Sequence, residues 1–226
     1  MQPMSVLSSS ALLATTYFGP VQWYQKLCRY PIVEIERMET FPKQTYRNRC
    51  VIATANGLQT LTVPVSAPAS VVGSAQGESM GRALTKDMRI SDHGNWRHLH
   101  RNALITAYSD SPFFQYYADD ILPFFERRWQ FLYDFNMEIT LTLCRLLDIH
   151  PLVRPTHTFR SPSVVSSATL SHDFRAAIHP KHPLLDATFT PRPYYQVYRS
   201  RHGFQPNLSI LDLLFNEGNE SIFYLL

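Results

Sequence analysis

Residues 50–63 read CVIATANGLQTLTV, and the reading of this stretch decides the fold. Two runs rich in apolar and β-branched residues, Cys50–Thr54 and Leu58–Val63, flank Asn56-Gly57. A dipeptide that tolerates positive φ between two such runs predicts the tight turn of a β-hairpin. Working outward toward the N-terminus, Ile32–Met38 alternates, with Val33 and Ile35 on one face and Glu34 and Glu36 on the other, as a half-buried strand does. Before it, Leu12–Thr16 reads as a short strand. Gly19-Pro20 then opens a helix through Val21, Tyr24 and Leu27, with Pro20 at the first helical position, where its missing N–H costs little.

On the other side of the hairpin, residues 66–82 are poor in large apolar side chains and carry Gly73, Gly77 and Gly81, which predicts a flexible loop. Helical spacing takes over from Asn95 to about Ile149. Asn95 is the expected cap, Pro112 and Pro123 start or interrupt helices, and Trp129, Leu132, Phe135, Ile139, Leu143 and Leu146 mark the longest helix. Residues 151–206 hold eight of the sixteen prolines, so an extended segment that wraps the rest is expected there instead of a second domain. Ser209 and Asp212 have capping-box spacing at the head of a last helix, which Gly218 can close. The expectation is one α+β domain over residues 1–226. A small, mostly antiparallel sheet containing the hairpin packs on the helices of residues 95–149, and the C-terminal helix closes a cleft.

Composition narrows the function. Apolar residues make up 45% of the 226 and charged residues 17%, with a net charge of +3 and no long Lys/Arg run. An anionic small molecule is the expected partner; extended nucleic acid is not. Cys28, Cys50 and Cys144 are far apart and show no metal or redox spacing, which suits a reducing compartment. The first eighteen residues lack a basic leader pattern and no apolar run approaches the ~20 residues of a membrane span, so a cytoplasmic location is expected. There is no phosphate-binding Gly-rich loop, no dinucleotide turn, no nucleophile elbow and no H-E-x-x-H helix. Asp119-Asp120 reads as a solvated turn of helix.

Four clusters carry possible chemistry. Lys43-Gln44-Thr45-Tyr46-Arg47-Asn48-Arg49 precedes the hairpin; on an extended strand Lys43, Thr45, Arg47 and Arg49 share one face, a row that clamps phosphate or carboxylate. A solvated basic edge strand is the plainer reading of the same row. In the helix that starts near Asn95, His98 and His100 point apart and do not share a metal. Trp96, His100, Leu104 and Tyr108 line one face, which makes His100 a core histidine and leaves His98 as a possible base. His172-Asp173 and His179-Pro180-Lys181-His182 lack companions at metal-ligand spacing, so no metal site is expected. Asn216-Glu217-Gly218-Asn219-Glu220 ends the last helix, where it is either a solvated terminus or the rim of a site.

In order and wording these segments resemble the WbqC-like family, proteins found among bacterial O-antigen and capsule biosynthesis genes. The likeness rests on Tyr17-Phe18-Gly19-Pro20-Val21-Gln22-Trp23-Tyr24, on Lys43 with Tyr46, Asn48 and Arg49, on Leu61–Val65, on Ile90-Ser91-Asp92-His93 with Trp96, and above all on residues 206–218, PNLSILDLLFNEG. Two departures stand out. Ala14-Thr15-Thr16 occupies the place of the family's Gln-Pro opening, and Arg37-Met38 that of two acids before Phe41. The resemblance implies a protein acting on sugar precursors of surface polysaccharide, with glycine transfer proposed for some members. The expected function is therefore an amide-forming acyl or aminoacyl transferase acting on an amino sugar, with a non-catalytic sugar-nucleotide binding or assembly component as the alternative. In that reading Lys43, Tyr46, Arg47, Asn48, Arg49 and Asp212 hold the substrate. Asn48 or Asn216 donates to the oxyanion, and His98 or Glu217 serves as base. The partner is a sugar nucleotide or an activated acyl donor, no cofactor is indicated, and all of it requires the basic segment and the acidic helix tip to share a pocket.

Overall fold

A computed structural model describes residues 9–68, 83–161 and 171–226; the Gly73, Gly77 and Gly81 stretch of the expected loop lies outside the described residues. The molecule is α+β. Its largest sheet has four strands, in the order β7 (Leu152–Pro155), β2 (Ile32–Glu36), β1 (Ser10–Ala14), β8 (Ser171–Asp173), and every pairing in it is parallel. The sequence reading expected mostly antiparallel pairing. The difference arises because β1 and β2 are joined by a helical crossover, α1 (Val21–Arg29), which returns the chain to run in the same direction. β1 is buried along its whole length, as a central strand covered on both faces must be. The Trp23 indole N–H donates to the Ala14 carbonyl at 2.9 Å, tying α1 to the end of β1. Pro20 sits one position before the first helical residue, at the N-cap.

The predicted hairpin is present as β3 (Arg49–Thr54) and β4 (Gly57–Thr62), antiparallel, with Thr54 opposite Gly57. Gly57 turns at φ +106°, a conformation that side chains with a Cβ rarely adopt. Two further short strands, β5 (Val65–Ser66) and β6 (Arg89–Ile90), pair antiparallel beyond it. Against this region lie α2 (Trp96–Tyr108), α3 (Phe114–Ile121) and α4 (Leu132–Leu146), the longest helix. Asn95 holds the N-cap position of α2 in a left-handed conformation, and its side chain makes no capping bond.

The face of α2 predicted to be internal is internal: Trp96, His100, Leu104 and Tyr108 are buried. The His100 ring accepts the Tyr17 hydroxyl at Nδ1 (2.9 Å) and donates to the Thr62 carbonyl. Burial pushes its pKa from 6.5 down to about 4, so the folded ring is neutral where the unfolded one is protonated. Between those values the unfolded chain binds more protons. Stability is therefore complete above about pH 6.5 and declines as pH falls toward 4, by about 3 kcal/mol in all. Urea midpoints measured across this window should show that slope, and His100→Gln should flatten it; an unchanged slope in the variant assigns the titration to another group.

The proline-rich segment does more than wrap, since it contributes β7 and β8 to the main sheet. Its later part docks on α1. Lys26, fully buried, donates from Nζ to Asp186 Oδ2 (2.6 Å), Thr188 Oγ1 (2.7 Å) and Gln25 Oε1 (2.9 Å), and lies over the Phe174 ring. Beyond α5 (Arg199–His202), α6 (Ile210–Glu217) is capped by the Ser209 hydroxyl accepting from Leu211 N. Asp212 does not reach back as a capping box requires, because the Ser209 N–H is taken by the Val51 carbonyl of the hairpin (2.8 Å) and the Asp212 carboxylate faces the core. Gly218 ends α6 at φ +56°, and a Cβ there would stand 2.6 Å from the Phe113 ring. α7 (Ile222–Leu225) follows and packs on α1. Among the described residues, no helix is long and apolar enough to cross a membrane.

Candidate functional site

Open parallel sheets present ligands to the carboxyl ends of their strands, where loops diverge. Here that edge collects Thr15 and Thr16 after β1, Glu36 and Arg37 at the end of β2, Thr156 after β7, and Asp173 and Arg175 at β8. Glu36 is completely buried and fully coordinated. Its Oε1 accepts from the Met38 N–H and the Thr156 hydroxyl, both at 2.7 Å, and its Oε2 accepts from the Arg160 N–H (2.9 Å) and Arg175 Nη1 (3.3 Å). Arg175 in turn grips Asp173 with Nε (3.0 Å) and Nη2 (2.7 Å) and donates to the Arg160 carbonyl.

Next to this network Glu39 receives Arg47 Nε and Nη2 on Oε1, both at 2.7 Å. Both side chains are largely buried, Arg47 7% exposed and Glu39 12%. Burial lifts the Glu39 carboxyl above the ordinary carboxylate range, against the pull of Arg47, which remains a cation at any physiological pH. The fold also leaves several buried polar atoms unused. Among the described residues the Thr15, Thr16, Thr85 and Tyr133 hydroxyls and Arg49 Nε are buried without a hydrogen-bond partner. Thr85 is held close by its N–H on the Glu39 carbonyl (2.9 Å), and the Tyr133 ring lies beneath Arg37. Burial raises the Tyr133 phenol to about 12, so it stands as a donor at neutral pH. Buried hydroxyls without partners are uncommon in folded proteins, and Thr85, bonded to the Glu39 backbone, is one of them.

The residues singled out from sequence are distributed between two places. Residues 43–48 turn instead of extending, with Gln44 at φ +59° and the Tyr46 and Arg47 carbonyls accepting from Tyr17 N (2.9 Å) and Asn136 Nδ2 (2.8 Å), so Lys43, Thr45, Arg47 and Arg49 share no face. Lys43 is exposed, Tyr46 and Arg49 are half-buried, and Arg47 turns inward to Glu39. Asn48 is buried and donates to the Val63 carbonyl at 2.8 Å. His98 is exposed on α2, and among the described residues its hydrogen-bond partner is Asn102 Nδ2 (2.9 Å).

The acidic helix tip looks elsewhere. Asp212 accepts from Tyr108 OH (2.9 Å), Tyr194 OH (2.7 Å) and Gln196 Nε2 (2.8 Å), and burial raises its pKa. Asn216 donates to the Asp212 carbonyl within its own helix, and Glu217 accepts from the Tyr195 N–H at 2.7 Å. Among the described residues none of these three shares a hydrogen-bond partner with residues 43–49: Tyr46 is bonded to Tyr17, Arg47 to Glu39 and Asn136, and Asn48 to Val63. Sequence reasoning passed over Glu36, Glu39, Thr156 and Arg175. The visible signal was Glu36-Arg37-Met38-Glu39, an acid-rich run just before a basic one. Among the described residues no three His, Cys, Asp or Glu side chains gather as a metal site requires.

The model of the WbqC-like protein family matches residues 16–176, a span that contains Glu36, Glu39, Arg47, Thr156 and Arg175 and stops short of α6. The uncharacterized protein Rv1507c of Mycobacterium tuberculosis is 25% identical over 244 residues, covering 100% of this chain and 98% of its own length. No solved structure matches the chain.

Proposed function

Since this chain belongs to the WbqC-like protein family, we propose that it is a cytoplasmic enzyme that transfers an acyl or aminoacyl group, such as glycyl, to the amine of a sugar precursor of bacterial surface polysaccharide, and that the reaction takes place at the carboxyl edge of the parallel sheet. The observation that carries the reading is the Glu39–Arg47 pair, a largely buried carboxylate whose backbone carbonyl holds Thr85, a residue with an unpartnered hydroxyl. A carboxylate with a raised pKa is a better proton acceptor than a solvated one. In the proposed step the sugar amine attacks the activated carbonyl carbon, the new C–N bond forms, Glu39 takes the amine proton, and the carrier leaves with the electrons of the broken acyl bond. Tyr133 and the threonine hydroxyls would hold sugar hydroxyls. Lys43 and Arg49 would reach the phosphates of the carrier. Purified protein incubated with a nucleotide-linked amino sugar and activated glycine should yield a glycyl amide by mass spectrometry; no product across sugar and acyl donors would remove the transferase reading.

A second reading, a non-catalytic component that holds a sugar nucleotide for another enzyme, is favoured by the isolation of His98 and the internal engagement of Glu217. It requires ligand-induced stabilisation without turnover.

A further inference from the structure

A cleft of about 200 Å³ opens between the hairpin tip and α5, lined by Ala53, Gly57 and Leu58 on one side and Gln196, Tyr198 and His202 on the other. It shares no residue with the sheet-edge site. Three polar side chains of its wall are fastened by the protein itself. Gln196 exchanges two bonds with the Gln205 backbone, donating to O at 2.9 Å and accepting from N at 2.8 Å, and a third goes to Asp212. The Tyr198 hydroxyl donates to the Ala107 carbonyl (3.1 Å) and His202 Nε2 to the Ala55 carbonyl (3.1 Å). Most of what remains facing the cleft is apolar, with Ala53, Leu58 and the Tyr198 ring in its wall. No Cβ placed on Gly57 or Gly203 would meet an atom within 4 Å, so the entrance is open on both sides.

Size and charge define the occupant. A dry cavity of ~150 Å³ holds one benzene ring, so this volume takes a single ring with a small substituent. Beside the cleft Arg201 is exposed; it reaches the Ala55 carbonyl that His202 of the wall also meets, but at a long 3.4 Å, which leaves the guanidinium free to turn to a ligand. Burial and Asp110 hold the Tyr198 phenol above its ordinary range, and Arg201 opposes them. Arg199 adds a second exposed cation on the same short helix. We infer that this cleft is a binding site for a small ring-bearing anion, the ring inserted between Leu58 and Tyr198 and the anionic group met by Arg201. This inference does not depend on the transferase reading.

The test is an amide-resolved NMR titration of the full chain with phenyl phosphate, uridine monophosphate, benzyl alcohol and inorganic phosphate. Phenyl phosphate should bind with a Kd on the order of 1 mM and shift the Gly57, Leu58, Tyr198 and Gly203 amides. Arg201→Ala should weaken it about tenfold while leaving benzyl alcohol unaffected, and Leu58→Glu, at an exposed position, should abolish both. Tighter binding of phenyl phosphate than of uridine monophosphate identifies an aryl acid as the natural class, and the reverse identifies a nucleotide base; either order supports the site. Absence of shifts at these amides, shifts that persist in Leu58→Glu, or equal effects from inorganic phosphate would overturn it.

Discussion

Lys26→Met is expected to cost the fold about 3–5 kcal/mol, because it leaves the Asp186 carboxylate buried without its cation. The Asp186 side chain is only 4% exposed. Burial alone would raise its pKa, yet hydrogen bonds from Lys26, Thr188 and Gln22 outweigh that and bring it down to about 2. Removing the ammonium reverses the balance. Methionine fills most of the volume and keeps contact with the Phe174 ring, so the loss reports the charge and not a cavity. Lys26→Met with Asp186→Leu should recover most of the stability, since two apolar groups need no pairing. Urea midpoints of the three proteins decide it. A single-variant loss under about 1 kcal/mol would show that the proline-rich segment is not anchored to α1 through this pair.

Glu39→Gln carries the second large expectation, a fall of about 10²–10⁴-fold in amide formation with retained binding of the nucleotide sugar. Glutamine keeps the shape and an oxygen for Arg47, but it takes no proton. Because burial raises the Glu39 pKa, the acidic limb of the wild-type kcat/KM profile should lie above the range of an exposed glutamate, with activity lost as pH falls through it. Glu39→Asp, which keeps a base, should restore part of the rate. Full activity in Glu39→Gln would exclude Glu39 as the base and leave its pairing with Arg47 as a structural tie. Tight binding by wild type with no turnover would favour the presenting role over catalysis.

How much could be read in advance depended on range. The Asn56-Gly57 hairpin, the buried face of α2 and the Ser209 cap each follow from residues a few positions apart, and all three are present. The parallel sheet was illegible because β2 finds its neighbour β7, and β1 its neighbour β8, only after the whole helical section has intervened. For the same reason Glu36 looked like the outward face of a half-covered strand. Its burial is created by Thr156, Arg160 and Arg175, which arrive with the later strands. The inward turn of Arg47 and Asp212 was hidden in the same way: each side chain meets partners in the interior that local patterning does not name.

The late arrival of β7 and β8 has a consequence for synthesis. On the ribosome, β1 and β2 emerge early with their outer edges bare, and each stays available to any strand from another chain until residues 152–173 have been translated and threaded into place. Non-local pairing of this kind slows folding, so the nascent polypeptide has a long interval in which to associate wrongly. Slower translation of the last third, or a shortage of chaperones, should therefore shift newly made protein from the supernatant to the pellet before the finished molecule shows any weakness.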